Sequence, residues 1–150
     1  MADEQTPIGG SQFITGAAPG GFCARMFKQA DNTIRFTLML GAEKEGPPGH
    51  GHGGSLATLL DEAMGAACWV NGHWVLAATL NINYKRPVPL NTEVVITGKV
   101  ERQEGRKIYT SGEIILPDGT VATTGSGIFI ESPEIFNEAF NEAMRRGAEG

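Results

Sequence analysis

The residues with the clearest chemical potential are two carboxylates set in an apolar run. In GHGGSLATLLDEAMGAACWV, residues 51–70, Asp61 and Glu62 stand among Leu, Ala, Met, Gly and Cys, where a core helix ordinarily carries neither. A carboxylate in low dielectric is costly unless paired or hydrogen-bonded, so one held there points to an acid or base tuned for a task. The plainer role is a cap on a neighbouring loop or a partner to a buried arginine. At about 100° per residue, Leu56, Leu59, Leu60, Ala63, Ala67 and Val70 share the helix face that should lie on a sheet. Asp61 falls beside Ala57, Met64, Gly65 and Cys68, a second face of mostly small residues that lets another surface come close. Glu62 falls further round, near Thr58 and Trp69, with the better path to water.

Gly53 and Gly54 open the same helix and leave backbone N–H groups bare at its N-terminus, where an oxyanion can be stabilised. An acid and an oxyanion donor must both lie within about 3 to 4 Å of one reacting carbonyl. Gly53 and Asp61 are eight residues apart, roughly 12 Å along one axis at ~1.5 Å per residue. A single helix cannot bring both to the same carbonyl. Two copies running antiparallel across a dimer axis can. The spacing predicts an active site shared between subunits, and with it an obligate dimer or higher oligomer.

The elements that must position this helix follow from pattern. CARMFKQADNTIRFTLML reads as two strands around a turn at Asp31-Asn32. Residues 41–52 are loop, with Pro47-Pro48 stopping any earlier helix. After the helix at 53–70 comes a strand over 75–86, ended by Pro87 and Pro89. TEVVITGKVERQ, KIYTSGEIIL and TVATTGSGIFIE are three more, separated by EGR and the hairpin signal PDG. SPEIFNEAFNEAMRR closes the chain as an amphipathic helix with Ser132 as N-cap and Pro133 in its first turn. The order β-β-α-β-β-β-β with a terminal helix is α+β: one central helix on a mostly antiparallel sheet.

The 150 residues suit one domain; we expect a flexible segment over 1–20 and a single domain over 21–150. A net charge of −5 gives no field to draw in nucleic acid or an anionic membrane. Cys23 and Cys68 make no disulfide framework and suit a reducing compartment. MADEQTPIGG has no apolar run of a secretory signal, and no stretch approaches ~18 uninterrupted apolar residues. A cytoplasmic protein without a membrane segment is expected.

With that order and the run HGGSLATLLD, the chain resembles the hot-dog fold thioesterases of the PaaI-like class, and most of all the human thioesterase-superfamily acyl-CoA hydrolases of mitochondrial type. The likeness is carried by GPPG at 46–49, HGG at 52–54, Ala57, Thr58 and Asp61, LNINYKRPVPL at 80–90, and EGRK at 104–107, and it covers roughly residues 33–131. It implies hydrolysis of acyl-CoA thioesters with no metal or cofactor, coenzyme A being part of the substrate. By the same resemblance Asp61 is the catalytic carboxylate, acting as general base on water or as nucleophile. Gly53 is the residue whose N–H polarises the carbonyl, and His52 shapes that loop. Homodimers pairing into homotetramers are implied as well. In two places the chain departs from the pattern. Ala77 stands where the family has a Ser or Thr that positions the attacking water. Along the strand Ala77, Thr79, Asn81 and Asn83 share one face, so Thr79 could substitute from about 6 to 7 Å further on. Gly46 stands where some relatives have an asparagine.

Other signals weigh less. Gly49, Gly51 and Gly54 formally satisfy G-x-G-x-x-G, but a proline-rich loop precedes them and no βαβ unit surrounds them. No Gly-Lys-Ser/Thr ending is present, so a P-loop is excluded. His50 and His52 lack a third metal ligand at suitable spacing. Cys68 is better read as a small packing residue than as a nucleophile. Lys85, Arg86, Arg102, Arg106 and Lys107 gather at strand ends, either as solvated sheet edges or as a landing site for coenzyme A phosphates; Gly54, Ala77, Asn81 and Asn83 are further candidate substrate contacts. Trp69, Trp74, Met64 and Leu76 line an acyl pocket or are plain core. Two other readings stay open: a hot-dog protein that binds acyl-CoA without hydrolysing it, motivated by Ala77, and a hot-dog hydratase or dehydratase, whose usual histidine–acid motif is not found.

Overall fold

The computed structural model of the chain describes residues 5–138 and 142. Its centre is α2 (Gly53–Val70), whose predicted sheet-facing row is buried: Leu59, Leu60, Ala63 and Ala67 are at 0% exposure, and Val70 is partly covered. The buried stripe is wider than the helical wheel suggested. Met64 and Cys68, placed beside Asp61 by the sequence, are also fully buried. A sheet that curves around a helix covers more than one row of it.

That sheet is antiparallel, with strands in the order β1-β2-β3-β5-β6-β7-β4. Its members are β1 (Thr6–Ile8), β2 (Met26–Lys28), β3 (Ile34–Leu38), β4 (Val75–Tyr84), β5 (Val94–Glu104), β6 (Lys107–Ile115) and β7 (Val121–Glu131). The alternation of β3 is clean, with Ile34, Phe36 and Leu38 buried and Arg35 and Thr37 exposed. A row of glycines lets α2 approach closely. Gly98 pairs with Gly112, and Gly112 with Gly125, across β5, β6 and β7. A Cβ on Gly98 would lie 2.3 Å from the Ala63 carbonyl oxygen, and one on Gly125 would lie 3.3 Å from Leu60 and Met64. Side chains in that row would lift the helix off the sheet.

Part of the stretch expected to be loose is placed. β1 pairs with β2, and a one-turn helix, α1 (Gln12–Thr15), buries Ile14 at 1% exposure. Two isolated apolar anchors, Ile8 and Ile14, hold a polar, glycine-rich stretch too short to show a period. At the other terminus residues 133–138 and 142 are helical, and residues 139–141 and 143–146 of the helix predicted over 132–146 lie outside the described residues. The Ser132 hydroxyl does not cap it; it donates back to the Ile130 carbonyl at 3.2 Å.

Candidate active site

The N-terminal end of α2 is built by the loop before it. A Cβ on Gly46 would lie 2.7 Å from the Cα of His52, so only glycine fits where the loop folds back. The His52 N–H donates to the Lys44 carbonyl at 2.7 Å, which fixes the chain's entry into the helix. His52 is the N-cap: its Nδ1 accepts the Gly54 N–H at 2.9 Å. The N–H groups of Ser55 and Leu56 both go to the His52 carbonyl. Of the first turn's donors that leaves the Gly53 N–H, which has no partner among the described residues. The Gly54 N–H is spent on the cap, so any contact Gly54 makes with a substrate is through its bare Cα surface, which lines the adjoining cavity.

Around that free donor lies a cavity of about 420 Å³, whose walls include Gly53, His50, Tyr84, Lys85 and Arg86. The Tyr84 hydroxyl donates to the Gly53 carbonyl at 2.7 Å and ties the end of β4 to the start of α2. The His50 Nδ1 donates to the Pro48 carbonyl at 2.9 Å, so the two loop histidines hold backbone in place. Among the described residues no three His, Cys, Asp or Glu come together as a metal-binding group.

Asp61 lies two turns on, in the wall of a second cavity of about 720 Å³. It makes no hydrogen bond or ion pair among the described residues, so it neither caps a loop nor pairs with an arginine. Burial raises its pKa. Glu62 lines the same cavity, and its pKa is raised by burial first and by the neighbouring Asp61 charge second. The expectation that Glu62 reaches water more easily fails because the segment Ile8–Ser11 folds over that side of the helix. A Cβ on Gly10 would lie 3.6 Å from Glu62 Oε1. Trp69 and Leu76 line this cavity and Trp74 meets Trp69 edge to face at 5.1 Å between ring centroids, whereas Met64 is core. The buried Cys68 thiol is pushed up to about 12 by burial, which suits packing and not nucleophilic attack.

Strand β4 overturns one expectation outright. Its pairing with β7 slips at a bulge between Ala77 and Thr79: Ala77 pairs with Phe129, but Thr79 pairs with Ile128. Paired residues point to the same face of a sheet. Ala77 therefore lies on the α2 side with Leu80, Ile82 and Tyr84, and Thr79 lies on the outer side with Asn81 and Asn83. Ala77 lines the Asp61 cavity, and Thr79 cannot supply its missing hydroxyl. One inserted residue reverses every later side chain, and no sequence pattern marks it.

The basic residues do not gather within one chain. The backbone N–H groups of Lys85 and Arg86 bond to the carbonyl of Ala122, and that of Glu131 bonds to the carbonyl of Arg106. Nine residues of β7 separate those anchors, about 30 Å at ~3.3 Å per residue. The Arg106 guanidinium is itself bound to the Glu131 carbonyl, with Lys107 beside it at the start of β6. Arg102 is held over the Tyr109 ring at 3.7 Å and paired with Glu104. Only Lys85 and Arg86 stand beside the helix N-terminus. A further groove of about 730 Å³, on the outer sheet face near Asp31, Arg35, Lys99 and Glu113, holds none of the expected residues.

A free N–H at a helix N-terminus and a half-buried acid on the same helix are groups of the kind an acyl hydrolase uses. The thioesterase superfamily model matches residues 48–123, and the chain belongs to that superfamily. It is 37% identical over 106 residues to the acyl-coenzyme A thioesterase THEM4 of Xenopus laevis, covering 70% of this chain and 48% of that protein. The chain spans about half the length of the curated relatives it matches. Among solved structures it is similar to a thioesterase superfamily protein, with a TM-score of 0.70 and 38% identity over 72% of this chain and 53% of the other. The Escherichia coli PaaI protein of the phenylacetic acid degradation operon shares its fold at TM-score 0.69 and 20% identity, over 74% of this chain and 80% of that one. The sheet wrapped around α2 is the hot-dog fold. Among the described residues no helix is long and apolar enough to cross a membrane.

Proposed function

We propose that the protein hydrolyses acyl-CoA thioesters at a site shared between two copies of the chain. The observation that carries this reading is the pairing of an unpartnered Gly53 N–H with an unpartnered Asp61 on one helix, too far apart to meet one carbonyl. The name of the THEM4 relatives supports the substrate class. Strand β4 offers the means of dimerisation. It is the outer strand beside β7, runs ten residues without a charge, and exposes Leu76, Leu80 and Tyr84. Such an edge is a template for pairing with another chain. A two-fold axis through it reverses α2 as well, and so turns Gly53 of one copy toward Asp61 of the other.

In that arrangement the Gly53 N–H donates to the thioester carbonyl oxygen and takes up the charge that develops on it. Asp61 of the second copy removes a proton from water as it attacks, or attacks the carbonyl itself. Collapse of the tetrahedral intermediate expels the thiolate of coenzyme A; where water attacked, the free acid is left directly, and where Asp61 attacked, an acyl-aspartyl anhydride is left that water then cleaves to the free acid and the regenerated carboxylate. Lys85 and Arg86, beside Gly53, suit the phosphates of the leaving group. No cofactor enters the scheme. Thiol release from a panel of acyl-CoA substrates, by wild type and Asp61→Asn, tests it: turnover lost in the variant with the dimer intact supports the assignment, and turnover kept at more than about a tenth of wild type contradicts it, since an essential base contributes ~10²-fold or more.

A second reading rests on Ala77. With no hydroxyl at that position and Thr79 on the opposite face, the site lacks the family's water-positioning group and would bind acyl-CoA without hydrolysing it. Tight binding with no thiol release across the panel identifies this case.

A further inference from the structure

The residues of α2 that line the Asp61 cavity fall on two adjacent rows: Asp61, Gly65 and Trp69, then Glu62, Ala66 and Val70. Each row reads acid, small residue, large apolar residue. Positions four apart stack one above another on a helix. The cavity is thus a groove with carboxylates at one end, Gly65 and Ala66 as its floor, and Trp69 at the other end, about 12 Å away at ~1.5 Å per residue. Phe129, Val75 and Ala77 wall it on the sheet side. Its far end is closed by Phe136, whose ring centroid lies 6.0 Å from that of Trp69 and 5.6 Å from that of Trp74.

We infer that this groove takes the acyl chain of the thioester, with Phe136 seated on Trp69 as its end wall, and that the preferred substrates are medium-chain acyl groups. The inference rests on the reading of Asp61 as the catalytic acid. A saturated zigzag of ~1.5 Å carbon–carbon bonds advances about 1.25 Å per carbon, so a ~12 Å groove holds about eight to ten carbons. Length is set by two positions. A Cβ on Gly65 would meet only Phe129, at 3.5 Å, so a side chain there fits the helix and fills the floor of the groove. Removing the Phe136 ring opens its end.

The test is a chain-length profile of kcat/KM, from acetyl- to palmitoyl-CoA, for wild type, Gly65→Leu and Phe136→Ala in the full chain. Wild type should peak near eight to ten carbons. Gly65→Leu should lower the decanoyl-to-butyryl ratio by about tenfold or more, and Phe136→Ala should raise the palmitoyl-to-decanoyl ratio by a similar factor. Shifts in opposite directions cannot come from a general loss of folding. A wild-type peak at short or long chains, or ratios unchanged in both variants, overturns the inference. Should wild type release no thiol at all, the hydrolytic reading fails alone. The same ratios, read as dissociation constants by calorimetry, then decide the groove: unchanged ratios sink it, and opposite shifts sustain it.

Discussion

The two ends of the α2 stretch that the proposed mechanism uses are opposites. At Gly53 the helix begins in a polar setting, with a capping histidine, a tyrosine hydroxyl and two cations around a single free N–H. Two turns later Asp61 sits in an apolar groove, without a hydrogen-bond donor, where burial raises its pKa. The first environment favours negative charge and the second penalises it. Placed against one carbonyl from two copies of the helix, they divide the work. In the proposed mechanism the polar end would stabilise the developing oxyanion and hold phosphates, and the apolar end would keep an acid reactive beside the acyl chain.

The contrast is sharpened or broken by substitution at each end. The largest effect belongs to Asp61→Asn, which should lower kcat by ~10²- to 10⁴-fold, measured as thiol release with the oligomer verified by light scattering. Gly53→Pro removes the free N–H at a first-turn position where proline is tolerated; kcat should fall by ~10²- to 10³-fold, the range for losing one oxyanion donor. Replacing Lys85 and Arg86 together by Ala should raise KM by about tenfold with kcat little changed, and flatten the dependence of KM on salt in stopped-assay titrations.

How much of this was legible in the sequence follows from range. The span of α2, its buried row and the outlying Asp61 obey a local period, and the strands β3 to β7 obey another, so both could be read from residue types alone. What could not be read depends on register. The bulge at Ala77/Thr79 changes which face later residues occupy while leaving the composition untouched. The Gly98–Gly112–Gly125 row exists only once three strands are aligned. Lys85 and Arg106 both sit at strand ends, yet sequence does not say which end of the sheet each one marks. Glu62 looked solvent-facing because the segment that covers it, Ile8–Ser11, is remote in the chain.

The smallest expected effect is on stability. A carboxyl whose pKa is raised by folding binds its proton more tightly in the native state, so its stabilising contribution is complete below the unfolded pKa and lost as pH rises through the folded one. Above that folded value Asp61 carries its charge at a cost in stability. Asp61→Asn should therefore raise Tm relative to wild type at pH 7 by a few degrees, and the gain should shrink as pH falls below the ordinary carboxylate range, in paired melts across that span.

The sharing of one site by two chains is tested most directly by complementation. Asp61→Asn and Gly53→Pro, each inactive alone, are unfolded together, refolded as an equal mixture and assayed for thiol release. In a mixed dimer one of the two sites joins an intact Gly53 N–H to an intact Asp61. With half the dimers mixed, about a quarter of wild-type activity should return. A mixture as inactive as its components would place both groups in one chain and contradict the account.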